Sequence, residues 1–405
     1  MPEGLPVSRK ISQAQKGKHQ MKYYECSEET LENCTLREAQ VMYGDDAIPL
    51  WHSVIYSRPF KLESRRYIGC KAKLVDWIFD IIKQEASDAQ SFCDIFAGTG
   101  SVSNRAVQCY NKVIINDFLY SNQILYTAFF GNGSWDENKV FEYLDAFNNI
   151  DPDIIKPNYF SDNYGDKYFD MVSAKMIGHT RNVIEDIRPR LNNKEYCILL
   201  ASLIYSIDRI SNTLGHFDAY IKRPITPKKF VLRPIDAQCY SGVEIYREDA
   251  NELARKIKTD VVYLDPPYNS RQYSRFYHVY EVLTKWDKPE LKGDARKPKE
   301  ENMSDYCRVK ALEKFTDLVA HIDAKYIVVS YNNTYKSKST SSENKIKLEQ
   351  IEEVLNKCGD TKTFTHSHNP FNAGKTEFDD HKEYLFVTKV DNEKRNSSFA
   401  ALLRG

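Results

Sequence analysis

Residues 261–270 read VVYLDPPYNS, and this stretch decides the fold. Four residues with the β-branched and aromatic character of a buried strand end at an acid, and two prolines follow. A residue that precedes proline is driven into extended geometry, and both Asp265 and Pro266 precede one. The acid is therefore expected at the carboxyl end of a central strand, held in a fixed direction, where open α/β sheets bind their ligands.

Strands and helices alternate on both sides of this stretch. Upstream, SFCDIFAGTGSVSNRAVQCY (91–110) predicts a short strand, a glycine turn and a helix, and KVIIND (112–117) predicts a second strand that ends in an acid. Downstream, YIVVSYNN (326–333) predicts another buried strand. The runs TKTFTH (361–366) and EYLFVTKV (383–390) alternate in polarity, as antiparallel edge strands do. The pattern predicts an α/β fold.

The alternation stops between residues 121 and 238. A βα unit would reach its next strand within a few tens of residues, but this segment is instead a series of helical patterns followed by a polar, proline-punctuated run. The predicted helices span 136–148, 171–191 and 195–213. We predict three parts of the chain: an N-terminal arm and extension (1–60), a catalytic domain (61–120 plus 239–405) and an inserted, largely helical domain (121–238).

The composition restricts the function classes. The chain has 57 Lys and Arg against 57 Asp and Glu, so nucleic acid would have to bind a local basic surface. No run approaches the roughly 18 apolar residues of a membrane-spanning helix, and the N-terminus lacks the apolar core of a signal peptide. We therefore expect a cytoplasmic protein without a membrane partner. The nine cysteines include no CxxC pair, so we expect neither a metal site nor a disulfide framework.

The glycine turn after the first strand predicts a cofactor site. Gly98 and Gly100 lie where a strand becomes a helix, so the backbone there can approach a ligand closely. The third glycine of a dinucleotide-binding motif is missing near Ser103, which leaves another adenosine-containing ligand. Asp117 lies where an acid often binds ribose hydroxyls, and it could instead cap the helix that follows.

The acid at 265 and its neighbours would suit a planar ligand that carries an amino group. The prolines offer carbonyl oxygens but no N–H groups, so the carboxylate and one carbonyl could accept two protons from an amine while Tyr268 stacks on its ring. Two such acceptors favour a pyramidal nitrogen, which attacks an activated methyl group more readily. This interpretation predicts that Asp265→Asn retains more activity than Asp265→Ala.

Six motifs, in this order, resemble those of the alpha-class N6-adenine DNA methyltransferases, the Dam-like DPPY enzymes: RYIGCKAKL, DIFAGTGSV, IIND, YREDANEL, LDPPYNSRQY and IVVSYNN. The longer run PPYNSRQYSRFYH is more similar to the methylases of type II restriction–modification systems. The resemblance covers roughly 61–120 and 240–390. It implies a Rossmann-like S-adenosylmethionine-dependent methyltransferase sheet with a target-recognition domain inserted at 121–238.

The resemblance also implies a reaction and partners. A methyl group would pass from S-adenosylmethionine to N6 of an adenine that is flipped out of double-stranded DNA at a specific site. The enzyme would act as a monomer, and a separate cognate restriction endonuclease would be its partner.

Individual site residues follow from the same resemblance. Those that grip the target adenine would be Asp265, Pro266, Pro267 and Tyr268. The cofactor site would comprise Tyr67, Gly69, Lys71, Asp94, Phe96, Gly98, Gly100, Asp117, Asp249 and Asp265. Asp249 would accept a hydrogen bond from the adenine amine of the cofactor, and it could also cap the helix after it. The sequence departs from the family's Gly-Gly-Lys motif at Cys70.

DNA contacts are predicted in two places. One is a basic cluster in the insertion, and the other is the segment after the DPPY motif, which would fill the gap left by the flipped base. The residues are Lys222, Arg223, Lys228, Lys229, Arg233, Asn269, Arg271, Gln272 and Tyr273. Either group could instead be ordinary solvated surface. The charged loop 287–304 could close over DNA or be inert.

Three other functions fit parts of the sequence. Methylation of RNA, or of glutamine in protein, belongs to NPPY-type relatives, which carry Asn in place of Asp265 and lack a large insertion. A DNA-binding module without catalysis would not need an intact DPPY motif and glycine turn. A fused nuclease would need a PD…(D/E)xK pattern, for which the chain offers only PDIIK at 152–156.

Overall fold

The computed structural model describes residues 28–45, 47–268, 270–333, 345–367 and 382–403. Its strands are β1 (Ser91–Asp94), β2 (Lys112–Asn116), β3 (Val243–Tyr246), β4 (Lys258–Leu264), β5 (Asp323–Asn332), β6 (Gly359–Ser367) and β7 (Lys382–Val390).

Helices occupy most of the remaining described chain. They are α1 (Glu28–Glu32), α2 (Leu36–Tyr43), α3 (Ala47–Tyr56), α4 (Val75–Glu85), α5 (Ser101–Cys109), α6 (Tyr120–Phe130), α7 (Glu137–Asn148), α8 (Tyr159–Tyr164), α9 (Met171–Asp186), α10 (Asn193–Ile210), α11 (Ala250–Ala254), α12 (Tyr273–Phe276), α13 (His278–Lys285), α14 (Ala311–His321), α15 (Leu348–Asn356) and α16 (Asn392–Ser398).

All seven strands form one sheet in the order β3-β2-β1-β4-β5-β7-β6. Strands β1 to β5 run parallel, and β7 lies antiparallel between β5 and β6. The parallel part has the doubly wound order, which reverses direction between β1 and β4. The predicted α/β fold and its antiparallel edge are confirmed, and the sheet is Rossmann-like.

The strand that carries the opening motif lies at the centre of this sheet. β4 pairs with β1 on one side and β5 on the other, and Asp94 at the end of β1 is in register with Tyr263. Asp94 and Asp265 therefore leave neighbouring strands at the same edge of the sheet. This is the edge where the strand order reverses, so a ligand crevice is expected there.

Helices cover both faces of the sheet. Phe92, Val261 and Tyr263 face a large apolar cluster that includes residues of α4, α5, α6 and α10. Cys93 and Val262 face a second cluster built with α11, α14 and α15. Successive strand residues point to opposite faces, so burial on both sides accounts for the nearly continuous apolar runs in the sequence.

The chain between β2 and β3 is the long helical segment that the sequence places at 121–238. α7, α9 and α10 begin within two residues of their predicted starts. α9 ends at Asp186, before the predicted end at 191, because Pro189 lies just beyond it and cannot donate a backbone hydrogen bond to a continuing helix.

This segment shares its apolar core with the sheet. α6 packs against α10 and against β3, and residues of α6 to α10 belong to the same buried cluster as Phe92 and Val261. Its division from the catalytic domain at 121 and 238 stays a prediction.

The N-terminal extension has a small core of its own. α1, α2 and α3 enclose Leu36, Trp51 and Ile55, which pack with Val231 of the insertion. Thr35 caps α2 through a capping box. Residues 1–27 of the predicted arm lie outside the described residues. Within the described ranges, no helix has both the length and the apolar content needed to cross a membrane.

Candidate active site

An open cavity lies outside the carboxyl ends of β1, β2, β3 and β4. Its volume, including the open mouth, is about 940 Å³. The structure brings most of the predicted site residues together on its wall. These are Tyr67, Gly69, Lys71, Asp94, Phe96, Gly98, Asp117, Asp249, Asp265, Pro267, Gln272 and Tyr273.

The glycine turn forms the floor of the cavity between β1 and α5. Gly98 and Gly100 have φ angles of 53° and 79°, in the left-handed region that other residues adopt at a cost. A Cβ atom on Gly100 would lie 3.1 Å from Tyr126 and 3.2 Å from Leu62, so this position also lacks space. Gly100 does not line the cavity. It allows the tight turn that presents Gly98 and the start of α5 to a ligand.

Asp94 offers the cavity a buried acceptor without a partner. Its side chain is 1% exposed, and Oδ2 accepts a hydrogen bond of 2.7 Å from the Ser103 hydroxyl. Oδ1 is buried and accepts no hydrogen bond from the described protein. Burial raises the pKa of Asp94 to about 7, although the Ser103 hydrogen bond opposes the increase. A ligand with an ammonium group or another donor would satisfy this atom.

Two further acids on the wall already accept hydrogen bonds from local backbone. Asp117 accepts hydrogen bonds of 2.9 Å from the backbone N–H groups of Gly98 and Leu119. Asp249 is the N-cap of α11 and accepts from Asn251 at 2.9 Å. The capping interpretation is therefore confirmed for Asp249, whereas that for Asp117 is wrong, because Leu119, and not Asp117, is the N-cap of α6. Because both also line the cavity, their predicted roles toward a ribose and an adenine amine stay open.

A buried hydrogen-bonded cluster surrounds the DPPY acid. The Lys71 ammonium lies 2.6 Å from Glu383 Oε1 and 3.3 Å from Asp265 Oδ1, and it donates to the Tyr268 hydroxyl. The Tyr268 hydroxyl donates in turn to Asp265 Oδ1. The resemblance places Lys71 in the cofactor site. Its ammonium lies in the cluster around Asp265, and Lys71 also lines the cavity, so its contact with the cofactor stays a prediction.

The charges of this cluster influence one another. Burial raises the pKa of Asp265 to about 6, the Lys71 ammonium opposes the increase, and the Glu383 carboxylate adds to it. Burial alone would lower the pKa of Lys71, but Asp265 and Glu383 together raise it above its usual value. Lys71 therefore stays charged, and Asp265 changes protonation state just below neutral pH.

The other two residues of the motif lie further from the cavity. Pro266 is buried. The Tyr268 ring makes an edge-on contact with Tyr331, with centroids 5.0 Å apart, and the Lys71 ammonium lies 4.9 Å from its centroid. Tyr268 therefore contacts protein on more than one side as placed, and its stacking on a base stays a prediction.

Aromatic residues build the wall next to Gly69. Tyr67 stacks on Tyr277 with ring centroids 4.4 Å apart and on Tyr273 at 5.4 Å. The Tyr273 hydroxyl lies 3.4 Å from the place of a Cβ atom on Gly69. The structure places Tyr273 on the cavity wall, and its contact with DNA stays a prediction.

A second wall comes from a loop whose role the sequence left open. Gln272 and Ser304 exchange two hydrogen bonds: the Gln272 amide donates to the Ser304 carbonyl at 2.9 Å and accepts from its N–H at 2.8 Å. Asn302, Ser304 and Tyr306 therefore line the cavity. The end of the 287–304 loop thus belongs to the cavity. No periodicity or motif in the sequence marks these residues.

The predicted basic cluster is divided among several surroundings. Lys222 is exposed and lies 3.4 Å from Asp294. Lys228 donates to the Arg209 carbonyl, and Lys229 forms an ion pair with Glu38. These lysines and Arg223 are exposed.

Arg233 differs from the rest of that cluster. It is 6% exposed and donates to the Glu32 carbonyl at 3.0 Å, so its guanidinium has no access to DNA in this position. We leave Arg233 out of the DNA surface for that reason. Arg271 is exposed beside the cavity, where its carbonyl accepts from the Cys307 thiol. Asn269 lies outside the described residues. Among the described residues, no group of His, Cys, Asp and Glu could hold a metal ion.

The fold and the cavity together define a Rossmann-like methyltransferase. The sequence model of the D12 class N6 adenine-specific DNA methyltransferases matches residues 67–342, and the chain belongs to this family.

Several curated relatives are type II methyltransferases. The chain is 30% identical to M.NlaIII of Neisseria lactamica, over 79% of this chain and 98% of the relative. It is 30% identical to M.CviAII of Paramecium bursaria Chlorella virus 1, over 80% and 98%. It is 32% identical to M.FokI of Planomicrobium okeanokoites, over 82% of this chain but only 54% of that longer relative. The chain is thus an adenine DNA methyltransferase of the type II restriction–modification type.

Proposed function

We propose that this enzyme moves a methyl group from S-adenosylmethionine to N6 of an adenine turned out of duplex DNA at a specific site. The observation that carries the proposal is that Asp265 opens into the same cavity as the glycine turn and the unpaired oxygen of Asp94. The acid that would hold the base and the groups that would hold the cofactor therefore share one space.

Several residues on the cavity wall suit groups of the cofactor. The unpaired Asp94 oxygen suits the cationic methionine end, and Asp117 suits the ribose hydroxyls. Asp249 and Phe96 suit the adenine ring of the cofactor. When bound, S-adenosylmethionine supplies an electrophilic methyl group. The protein would hold the base, exclude water and receive a proton.

Asp265 has one oxygen available for the base. Oδ1 accepts from Tyr268 and lies near Lys71, whereas none of the described residues donates a hydrogen bond to Oδ2. Oδ2 would therefore accept from the N6 amine and increase its nucleophilicity. Once N6 has gained a carbon it must lose one of its protons, and the Asp265 carboxylate is the nearest base to receive it.

The depth of Asp265 supports base flipping. Its side chain is only 16% exposed and lies within the cavity, so an amine inside a stacked duplex would not reach it. Flipping can be tested after the modified sequence has been identified by sequencing methylated DNA. With 2-aminopurine in place of the target adenine, enzyme binding should raise the fluorescence several-fold. An unchanged signal at saturating enzyme, for a site that is methylated, would contradict flipping.

We also propose that the enzyme acts as a monomer and that its methylation protects DNA from a separate cognate endonuclease. The type II relatives support a restriction–modification setting. Light scattering at assay concentrations should give the mass of one chain, 47.1 kDa. Methylated DNA should resist restriction enzymes whose sites overlap the modified sequence. A stable dimer would contradict the monomer. Cleavage of methylated DNA by every restriction enzyme whose site overlaps the modified sequence would contradict protection.

Binding of the cofactor should release a proton near neutral pH. Because burial raises the pKa of Asp94 to about 7, a part of the free enzyme is protonated there at pH 7, and a bound ammonium group favours the carboxylate. The affinity for S-adenosylhomocysteine should therefore rise by about 10-fold from pH 6 to pH 8.

Calorimetry in buffers with different ionisation enthalpies would measure the released proton. Asp94→Asn, which cannot ionise, is the matched control and should show weaker binding without this pH dependence. Equal proton release by the variant and by the unmodified enzyme would assign the effect to another group.

A further inference from the structure

Glu383 is a buried acid that none of the family motifs includes. It lies on β7, is 3% exposed, and contacts Lys71, which is 312 positions away in sequence. Its Oε1 atom also accepts a hydrogen bond of 2.7 Å from the Ser330 hydroxyl on β5. Two strands and the segment before α4 therefore meet at this carboxylate. The Lys71 ammonium links it to Asp265.

Lys71 is shared between two carboxylates at unequal distances. Its ammonium lies 2.6 Å from Glu383 and 3.3 Å from Asp265. Ser330 fixes the Glu383 oxygen, so the shorter contact determines where the ammonium lies. From that place Lys71 donates to the Tyr268 hydroxyl, whose own proton points to Asp265 Oδ1. One side of Asp265 is thereby oriented, and the other side is left for the target amine.

We propose that Glu383 is a positioning residue of the catalytic centre, which holds Lys71 at a distance where it orients Asp265 and Tyr268 without taking the carboxylate away from the target amine. This inference rests on the proposed function. The proton that N6 gives up passes to Asp265, and the electron pair of that N–H bond stays on nitrogen. Glu383 does not line the cavity, so it would act on the base through Lys71.

The alternative is a purely structural ion pair. Buried charges must be paired, and removing either partner is costly wherever the pair lies. The two roles differ in their effect on Asp265. If Glu383 is only a structural charge, its neutralisation changes the amount of folded enzyme and shifts the titration of Asp265 through the lost charge, but it leaves the rate per folded enzyme at pH 7.5 as it was. If it positions Lys71, neutralisation brings the ammonium closer to Asp265 and also removes a negative charge.

Both changes lower the pKa of Asp265, because Lys71 lowers it and Glu383 raises it. The single-turnover rate should fall at low pH as Asp265 becomes protonated, and we call this part of the pH–rate profile the acid limb. In Glu383→Gln we expect the acid limb to move by about one pH unit to lower pH. The rate at pH 7.5 should fall by roughly tenfold, because Lys71 then competes with the amine for Asp265. Binding of S-adenosylhomocysteine should stay within about twofold, because Glu383 does not line the cavity.

The chain offers a matched control at Glu195. This acid is also 3% exposed and also pairs with a lysine, Lys139, at 2.6 Å, but it lies on α10 away from the cavity. Glu195→Gln should destabilise the fold in thermal unfolding and leave the acid limb unchanged. An acid limb in Glu383→Gln that coincides with that of the unmodified enzyme, or a shifted limb with an unchanged rate per folded enzyme at pH 7.5, would overturn the proposal.

A second variant keeps the test decisive if Glu383→Gln does not fold. The double variant Lys71→Met, Glu383→Met replaces the pair with apolar groups and leaves no buried charge alone. Its acid limb should move to higher pH, because the Lys71 ammonium lowers the pKa of Asp265 by more than the Glu383 carboxylate raises it. An unmoved limb would contradict this larger effect of Lys71 on Asp265. If the unmodified enzyme fails to methylate adenine in DNA, the proposed function fails; if only the limbs coincide, this inference alone fails.

Discussion

Replacement of Asp265 with alanine should lower the single-turnover rate of methyl transfer by roughly a thousandfold. The loss removes both the acceptor that would activate the amine and the base that would receive its proton, and each such effect is typically worth about 10²-fold or more. Affinity for S-adenosylhomocysteine should change by less than about tenfold, because Asp94 and Asp117 carry most of that site. A variant that keeps more than about a tenth of the rate would contradict a catalytic role for this acid.

The asparagine variant separates two interpretations of the same acid. The sequence alone predicts that Asp265→Asn retains more activity than Asp265→Ala. The structure leads to a different expectation, because Oδ1 faces two donors, the Tyr268 hydroxyl and the Lys71 ammonium. An amide oxygen would stay with those donors, and the NH2 group would then point at the target amine.

The NH2 donor of the variant would then face the amine donor of the base. We therefore expect the rates of the two variants to differ by less than about tenfold. Rates for both can be measured on the same DNA with the same labelled cofactor. If Asp265→Asn were a hundredfold more active than Asp265→Ala, the Oδ1 contacts would not hold in the working enzyme.

Replacement of Asp117 with alanine should weaken binding of S-adenosylhomocysteine by roughly a hundredfold. Hydrogen bonds to a charged acceptor contribute about 1.5–3 kcal/mol each, and two from ribose hydroxyls would account for this loss. Asp117 also accepts from the Gly98 N–H group, so the variant loosens the turn that forms the cavity floor. Calorimetric titration gives the affinity, and thermal unfolding gives the structural part of the effect.

Asp260 is the matched control for this experiment. Its carboxylate also accepts two backbone N–H groups, from Gln90 at 2.8 Å and Ser91 at 3.1 Å, but at the amino end of β1, away from the cavity. Asp260→Ala should lose stability without losing affinity. If both variants bound the ligand equally well, Asp117 would only support the backbone of the turn and would not contact the ligand.

The parts of the fold that sequence reasoning found are those with local signals. β4 was recognisable because an apolar run ends in an acid before two prolines, and those residues restrict the backbone without help from distant groups. The helices of the insertion have 3.6-residue periodicity, so their predicted starts lie within two residues of the observed ones. The predicted end of α9 at residue 191 is wrong, because Pro189 cannot donate a backbone hydrogen bond to a continuing helix.

The catalytic cluster could be predicted only in part. Asp265 and Lys71 belong to motifs, but the contact between them depends on how the segment before α4 folds over the sheet. Glu383 could not be recognised, because it lies within an ordinary alternating strand and acquires its role from a partner 312 positions away. The one sequence feature that could indicate this role is an acid within a mostly apolar strand.

The surface residues show the opposite limitation. Arg233 looked like a DNA contact because it lies in a basic run, and charge patterns do not reveal which members turn inward. Gln272 and Tyr273 follow the DPPY motif and form part of the cavity wall, and their predicted contacts with DNA stay predictions. The side chains that read the target sequence cannot be derived from charge and order along the chain, because base readout depends on three-dimensional fit.

The central claim is that adenine in DNA receives the methyl group at a site built around Asp265. It is tested most directly by incubating the enzyme with S-adenosylmethionine labelled in its methyl group and a mixture of duplex DNA, RNA and protein. Mass spectrometry of the digested products then locates the label. We predict N6-methyladenine in DNA with the unmodified enzyme and less than about a hundredth as much with Asp265→Ala. Label in RNA or protein with none in DNA, or equal labelling of DNA by the variant, would contradict the claim.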